Sequence, residues 1–291
     1  MKHYRKGKHF KGKVVFCNCD DPTQSKFWEY FENYFDVLKL KKLIATHYRP
    51  STLFENSPSY KLEYTGSGKP KKTRIVGDGD FQSAECIEIL KEADIVVTNP
   101  PFSLLQDYVD QLIEHKKKFL IIGNSLAIPT KKIFPRFKER KMWMGCSIKS
   151  GDREFRVPNN YPLKAAGYRK DKDGNKYIRV KGVRWFTNLS HDDMPDPIHL
   201  YKYYSTEKYP KYDNYDAIEV GKVKDIPKDY DGEMGVPVTF LDKYNPKQFE
   251  IIGLCRYLPK SPQIKNPQER FFLNGKEKFA RIVIKKRKKP K

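Results

Sequence analysis

Residues 94–103, DIVVTNPPFS, run an apolar strand directly into Asn99-Pro100-Pro101-Phe102. Neither proline has an N–H to donate, so sheet pairing stops there. Both rings fix φ, which holds the Asn99 side chain and the neighbouring carbonyls stiffly. The turn thus offers fixed hydrogen-bond acceptors beside an aromatic ring. Asn-Pro alone is a common turn signal, and a purely structural turn is the competing reading. Other polar residues stand where strands are expected to end: Asp20 and Asp21, His47, Asp78 and Asp80. Two further segments imitate sites. Gly66-Ser67-Gly68-Lys69-Pro70 has a phosphate-loop flavour, but the spacing is incomplete and Pro70 replaces the hydroxyl residue. His191-Asp192-Asp193 has no helical partner histidine, and a solvated loop explains it.

The elements that must position these residues follow from periodicity. Val14 to Cys17 reads as a buried strand, ended by Asp20-Asp21-Pro22. Ser25 to Leu38 carries Phe27, Tyr30, Phe31, Tyr34, Phe35 and Leu38 at helical spacing, with Ser25 placed to cap the helix. Leu43 to Thr46 is a second strand, and Leu53 to Tyr64 has no clear period. Thr65 to Thr73 is a turn or hairpin tip, and Arg74 to Val76 a third strand ending at Gly77-Asp78-Gly79-Asp80. Ser83 to Lys91 is a short helix, Asp94 to Thr98 a fourth strand, Leu104 to His115 a helix and Lys118 to Gly123 a fifth strand. This alternation predicts an α/β fold with a parallel sheet covered on both faces. Ligands of such sheets bind beyond the carboxyl ends of the strands, where the polar residues above converge. Later strands are expected at Gly182 to Leu189, Val236 to Leu241, Phe249 to Leu254 and Phe279 to Ile284, before a basic tail from Lys285 to Lys291.

Charge narrows the partners. Lys and Arg total 58 against 36 Asp and Glu, a net charge of +22 in 291 residues. Such an excess gathers polyanions. The five cysteines are odd in number and form no CxxC, which fits a reducing cytoplasm and no zinc site. No apolar run approaches a membrane span.

The segments VVFCNCDDPTQSKFWEYF, LKKLIATHY, GDGDF, DIVVTNPPFS, GVRWFTNL and GVPVTFLDKYNPKQFEIIGL resemble the EcoRI-type adenine-specific DNA methyltransferases, from about Val14 to the C-terminus. The resemblance implies a Rossmann-like S-adenosylmethionine methyltransferase sheet with helices on both faces, plus a smaller target-recognition region. It places the catalytic core in residues 1–200, with a basic insertion at about 141–181. Residues 201–291 then serve target recognition and complete the core. The implied reaction is methyl transfer from S-adenosylmethionine, leaving S-adenosylhomocysteine, to the exocyclic N6 amine of an adenine flipped from double-stranded DNA, without a metal. Asn99, Pro100, Pro101 and Phe102 are the implied catalytic residues: Asn99 Oδ1 and the Pro100 carbonyl accept from the amine and Phe102 stacks on the base.

The cofactor would lie along Phe16, Cys17, Asp20, Asp21 and Pro22, then His47, then Asp78, Asp80 and Phe81, and reach Asn99. The chain departs from the commoner pattern twice. A Gly-rich loop after the first strand is replaced by Phe16-Cys17-Asn18-Cys19-Asp20-Asp21-Pro22, and the ribose-holding acid after the second strand is replaced by His47. Asp20 and Asp21 suit the cationic amino end of the cofactor, and suit helix capping equally well. DNA contacts are expected from Lys131, Lys132 and Arg136, and from Arg153, Arg156, Lys164 and Arg169, where a solvated charged face is the plain alternative. A bacterial or phage-encoded cytoplasmic enzyme is implied, working as a monomer or weak dimer, with a cognate restriction endonuclease as a partner on the same site. A ribosomal RNA adenine methyltransferase and a non-catalytic DNA-binding relative stay open as alternatives.

Overall fold

The computed structural model describes residues 9–48, 59–145, 153–159, 161, 167–190, 196–258 and 270–287. Cys146, Lys164, His191-Asp192-Asp193 and the end of the basic tail lie outside the described residues. The chain divides into two units, residues 1–127 with 142–192, and residues 128–141 with 193–291.

The first unit is built on an eight-stranded mixed sheet. Its strands are β1 (Val14–Cys17), β2 (Lys42–Thr46), β3 (Tyr60–Tyr64), β4 (Lys71–Arg74), β5 (Ile95–Thr98), β6 (Lys118–Asn124), β7 (Trp143–Met144) and, after a separate small sheet of β8 (Arg153–Val157), β9 (Arg169–Lys170) and β10 (Lys176–Val180), β11 (Val183–Thr187). The order is β4-β3-β2-β1-β5-β6-β11-β7. The four inner strands β2, β1, β5 and β6 are mutually parallel, in register Val14↔Lys42, Val15↔Ile95 and Ile95↔Lys118. Their near-continuous burial matches apolar runs covered from both sides.

Both edges depart from the expected parallel sheet. β3 pairs antiparallel with β2, and β4 antiparallel with β3. The expected strand at Arg74 to Val76 is instead Lys71–Arg74, and Val76 is 97% exposed. Lys71-Lys72-Thr73-Arg74 has nothing apolar to bury, so it can serve only as a charged edge. Because β4 reverses β3, it runs in the direction of β2 and delivers residues 75–81 to the carboxyl edge of the inner strands. At the other side, β11 runs antiparallel to β6, Val183↔Asn124 to Thr187↔Leu120.

The expected helix from Ser25 to Leu38 forms as two pieces, α1 (Lys26–Asn33) and α2 (Phe35–Leu38), broken at Tyr34. Ser25 Oγ caps α1, accepting from the amides of Phe27 and Trp28 at 3.2 and 3.4 Å. Trp28, Phe31, Phe35 and Leu38 pack on Val15, Cys17, Leu43, Ala45, Ile95 and Val97, the alternate residues of one sheet face. Complete burial of a side chain such as Phe31 stabilises by about 1.5–3 kcal/mol. α3 (Ala84–Glu92) and α4 (Leu105–Glu114) follow. The α1 connection steps from β1 to β2, whereas α4 steps from β5 to β6 in the opposite direction. Right-handed crossovers therefore set these helices on opposite faces, and the strand order reverses between β1 and β5.

The second unit holds α5 (Ile133–Lys138) and the strands β12 (Lys211–Tyr212), β13 (Tyr215–Glu219), β14 (Met234–Pro237), β15 (Phe249–Leu254), β16 (Phe272–Leu273), β17 (Lys276–Glu277) and β18 (Arg281–Lys286). Five of them form a sheet in the order β12-β13-β14-β18-β15. The expected strand Val236 to Leu241 stops at Pro237, which has no N–H to extend the ladder, and Val238–Lys243 turns into a 3-10 helix. Inside this sheet, Arg281 donates to both oxygens of Glu219, at 2.7 and 3.0 Å, and the Tyr212 hydroxyl donates to the same carboxylate. Gly235 is the floor of this cluster, since a Cβ there would stand 2.2 Å from Tyr212 Oη. Gly235→Ala must therefore push Tyr212 off Glu219. The expected cost is about 2–3 kcal/mol of unfolding free energy, read from urea denaturation.

Candidate active site

The carboxyl ends of β2, β1 and β5 surround a cavity of about 480 Å³. The loop after β1 contributes Cys19 and Asp20, and the segment after β2 contributes Tyr48. The loop after β4 contributes Gly79, Asp80 and Phe81, and β5 contributes Asn99, Pro100, Pro101, Phe102 and Leu104. The cavity thus sits where the strand order reverses, as open α/β sheets require of a ligand site.

Asn18 ties two of these walls together. Its carbonyl accepts from Thr98 Oγ1 at the end of β5, and its side-chain oxygen accepts from the hydroxyl of Tyr108 on α4. Asn18 is 3% exposed and Tyr108 is fully buried. The Tyr108 ring also meets Phe81 edge-on, centroids 4.9 Å apart, while Gln111 Nε2 donates to the Phe81 carbonyl at 2.9 Å. One helix therefore braces the β1 loop, the β5 turn and the loop after β4. Cys19 follows Asn18 with φ 65, the left-handed region that costs a non-glycine residue about 1–2 kcal/mol.

On the β2 side, Gly79 (φ 79) lies against the end of that strand, and a Cβ would come 2.3 Å from the His47 carbonyl. Asp78 shapes the same loop, accepting from the Asp80 amide through Oδ1 and from Ser59 Oγ through its carbonyl. Asp80 Oδ1 accepts from the Gln82 amide at 2.7 Å.

The two aspartates after β1 have different environments. Burial pushes the Asp20 carboxyl up to about 6, against a hydrogen bond from Ser25 and with the Asp21 charge adding to the rise. For Asp21 burial again pushes upward and is the largest single influence, but the Thr23 amide and hydroxyl, His47 and Tyr60 together outweigh it, and the carboxyl sits below the usual range. Burial holds the Cys17 and Cys19 thiols well above their ordinary value, so both are neutral.

Residues 1–287 match the family described as adenine-specific methyltransferase EcoRI. The type II methyltransferase M.EcoRI of Escherichia coli is 44% identical over 305 aligned residues, covering 99% of this chain and 90% of the relative. The type II methyltransferase M.MpnI of Mycoplasma pneumoniae is 43% identical, covering 96% and 89%, and M.MgeORF184P of Mycoplasma genitalium is 40% identical, covering 96% and 90%. The chain belongs to the EcoRI family of adenine-specific methyltransferases. No solved structure matches it.

In this EcoRI-family chain the cavity gathers Asp20, Asp80, Phe81 and Asn99 through Phe102 from among the residues singled out in the sequence. Phe16, Cys17 and Pro22 are buried and stand outside its lining. Asp21 is occupied in its own loop, accepting from Thr23 at 2.9 and 2.7 Å, Gln24 at 3.2 Å and Tyr60 at 3.3 Å. His47 stacks on Tyr60, 5.0 Å between centroids, and its neighbour Tyr48, also just past β2, is the residue of this segment that lines the cavity. Cys19, Tyr48, Gly79, Leu104, Asn18 and Tyr108 were not singled out by sequence. An asparagine inside an apolar strand end was the available signal for Asn18, whereas Tyr108 looks like any core aromatic of an amphipathic helix. Of the basic residues, Lys131, Lys132 and Arg136 belong to the second unit and Arg153, Arg156 and Arg169 to the first, all but Arg136 exposed. Tyr108→Phe keeps the ring and deletes one hydrogen bond. It is expected to lower stability by about 1–3 kcal/mol, measured by thermal unfolding.

Proposed function

We propose that this chain places a methyl group from S-adenosylmethionine on the exocyclic amine of an adenine turned out of double-stranded DNA. The carrying observation is that Asn99-Pro100-Pro101-Phe102 forms one wall of a cavity whose other walls hold Asp20 and Asp80-Phe81. Family membership and the net charge of +22 support DNA as the substrate. The strand order, reversing between β1 and β5 and carrying an antiparallel strand next to β6, supports a Rossmann-like methyltransferase sheet.

The residues present fit the cofactor. A cavity of about 480 Å³ is in the range of small-molecule sites, and it offers two carboxylates and an aromatic ring to a cation that carries a purine. Asp20 would hold the cationic amino end, Asp80 the adenine amine, and Phe81 would lie against the adenine ring. When bound, S-adenosylmethionine supplies an electrophilic methyl group on a cationic sulfur. The protein must then raise the nucleophilicity of an amine whose lone pair is delocalised into its ring. Asn99 Oδ1 and the Pro100 carbonyl accept the two amine hydrogens and draw the nitrogen towards a tetrahedral shape. Pro100 is buried and Pro101 has φ −60, so these acceptors are fixed before the base arrives. Phe102, 41% exposed, stacks on the everted base.

Asn99→Ala is expected to lower turnover by at least about 10²–10³-fold while duplex and S-adenosylhomocysteine affinities stay within about threefold. Methyl incorporation into duplex DNA, with ribosomal RNA in parallel, decides it. Unchanged turnover removes Asn99 from catalysis, and label in RNA alone removes DNA as the substrate.

The Asp20 carboxyl gives a pH dependence. Its value of about 6 in the folded chain lies above 3.8, so the unliganded protein loses roughly 3 kcal/mol as pH rises from about 4 through 6. A bound ammonium prefers the carboxylate, so cofactor affinity rises with pH over the same window and levels off above about 7. Calorimetric titration from pH 5 to 8 should show this rise, and Asp20→Asn should flatten it.

A further inference from the structure

We propose that the small sheet of β8, β9 and β10 grips the phosphate backbone of duplex DNA through one face only, the face of Arg156, Arg169 and Arg179. This rests on the DNA reading above and adds to it the surface that makes the contact.

Strand register separates the two faces. Paired residues share a face and successive residues alternate. The pairs Glu154↔Arg179, Arg156↔Tyr177 and Arg169↔Tyr177 set three arginines, one tyrosine and one glutamate together. The pairs Arg153↔Val180, Phe155↔Ile178, Val157↔Lys176 and Lys170↔Lys176 set the apolar residues on the reverse together with Arg153, Lys170 and Lys176, so charge alone does not separate the faces. Arg153, Arg156 and Arg169 look equivalent in the sequence. The sheet splits them, and it adds Arg179. No residue of these three strands is buried, so the sheet is a surface feature.

The arginine face is ordered rather than merely charged. Glu154 takes Nε and Nη2 of Arg169 at 2.9 and 2.7 Å, and the guanidinium lies over the Tyr177 ring, 4.3 Å from its centroid. A guanidinium held by that edge turns Nη1 away from the carboxylate. Arg156 Nη2 donates to Asn175 Oδ1 at 2.6 Å. Asn175 is itself fixed by Asp171, which accepts from its amide N–H at 2.8 Å and its side chain at 2.9 Å, and also from the Tyr177 hydroxyl at 3.2 Å. Exposed arginines ordinarily lose rotamer entropy on binding, and Arg156 and Arg169 have lost much of it in advance. Three guanidiniums against the carboxylates of Glu154 and Asp171 still leave the face cationic, and planar forked donors match phosphate oxygens.

The test is the salt dependence of duplex binding. Arg156→Ala with Arg179→Ala is expected to weaken binding roughly tenfold or more near 0.15 M salt and to reduce the log–log salt slope by about 2. Arg153→Ala, on the same strand but the opposite face, should stay within about twofold. The lysine pair, Arg156→Lys with Arg179→Lys, should keep the slope and lose part of the affinity. S-adenosylhomocysteine binding and melting temperature should hold in all three, which separates lost contacts from lost fold. Unchanged affinity in the alanine pair, an equal loss in Arg153→Ala, or a slope lost in the lysine pair overturns the assignment of this face. Tighter binding to duplex RNA overturns the choice of DNA. An unsubstituted chain that binds S-adenosylhomocysteine but no duplex overturns the functional reading beneath it.

Discussion

Asn18 is fixed by two buried acceptor positions, its carbonyl under Thr98 and its side-chain oxygen under Tyr108. Everything the cavity does depends on that junction. β1 and β5 are neighbours, so their ends lie close, but adjacency alone does not fix the loops that leave them. Asn18 converts adjacency into a defined offset between Cys19-Asp20 and Asn99-Pro100. Tyr108 extends the constraint to Phe81, because the same ring that anchors Asn18 also supports the aromatic wall. A buried network of this kind is costly when any member is missing, since the remaining polar atoms lose their partners in a low-dielectric interior. That cost is what makes the geometry specific.

Backbone conformation carries the rest of the constraint. Cys19 occupies a left-handed position, and Gly79 sits where any side chain would strike the His47 carbonyl. The two prolines after Asn99 limit the opposite wall in the same way. Strained or restricted residues thus stand on all three sides of one cavity, held by packing that over-determines them. This is the arrangement expected of a site whose acceptors must be in place before the ligand arrives.

The inner strands and helix starts were legible because their apolar periods are strong and Ser25 and Ser83 are good caps. The loop 94–103 was legible because strand, two prolines and an aromatic ring rarely coincide by chance. The edges were not. β3 alternates Tyr60, Leu62 and Tyr64 with charges, a pattern short enough to be lost beside the preceding residues, and β4 has no apolar residue at all. Sequence placed Asp80-Phe81 after the third strand of a parallel sheet. They arrive instead from an outer strand that has crossed back, and the destination is the same because β4 and β2 share a direction. His47 misled through its position, one residue before the side chain that lines the cavity. Tyr108 could not be found from sequence, since its role lies in a hydroxyl that meets a residue 90 positions away.

Under the proposed function a strongly cationic chain must hold a cationic cofactor and an anionic polymer at once, and screening resolves the conflict. At about 0.1 M salt the Debye length is near 10 Å, so charges across the surface scarcely act on a group within the cavity. Asp20 is governed by burial, Ser25 and Asp21, with no lysine or arginine among the causes that set it. The cavity therefore stays acidic inside a basic protein. At the surface, the summed excess of 22 positive charges acts over the approach of a polyanion, where many weak contributions add. On the assignment proposed above, the ordered arginines on β8, β9 and β10 turn that attraction into registered contact. In the proposed function, capture is long-ranged and cationic, cofactor holding is short-ranged and acidic, and each is protected from the other by the water and salt between them.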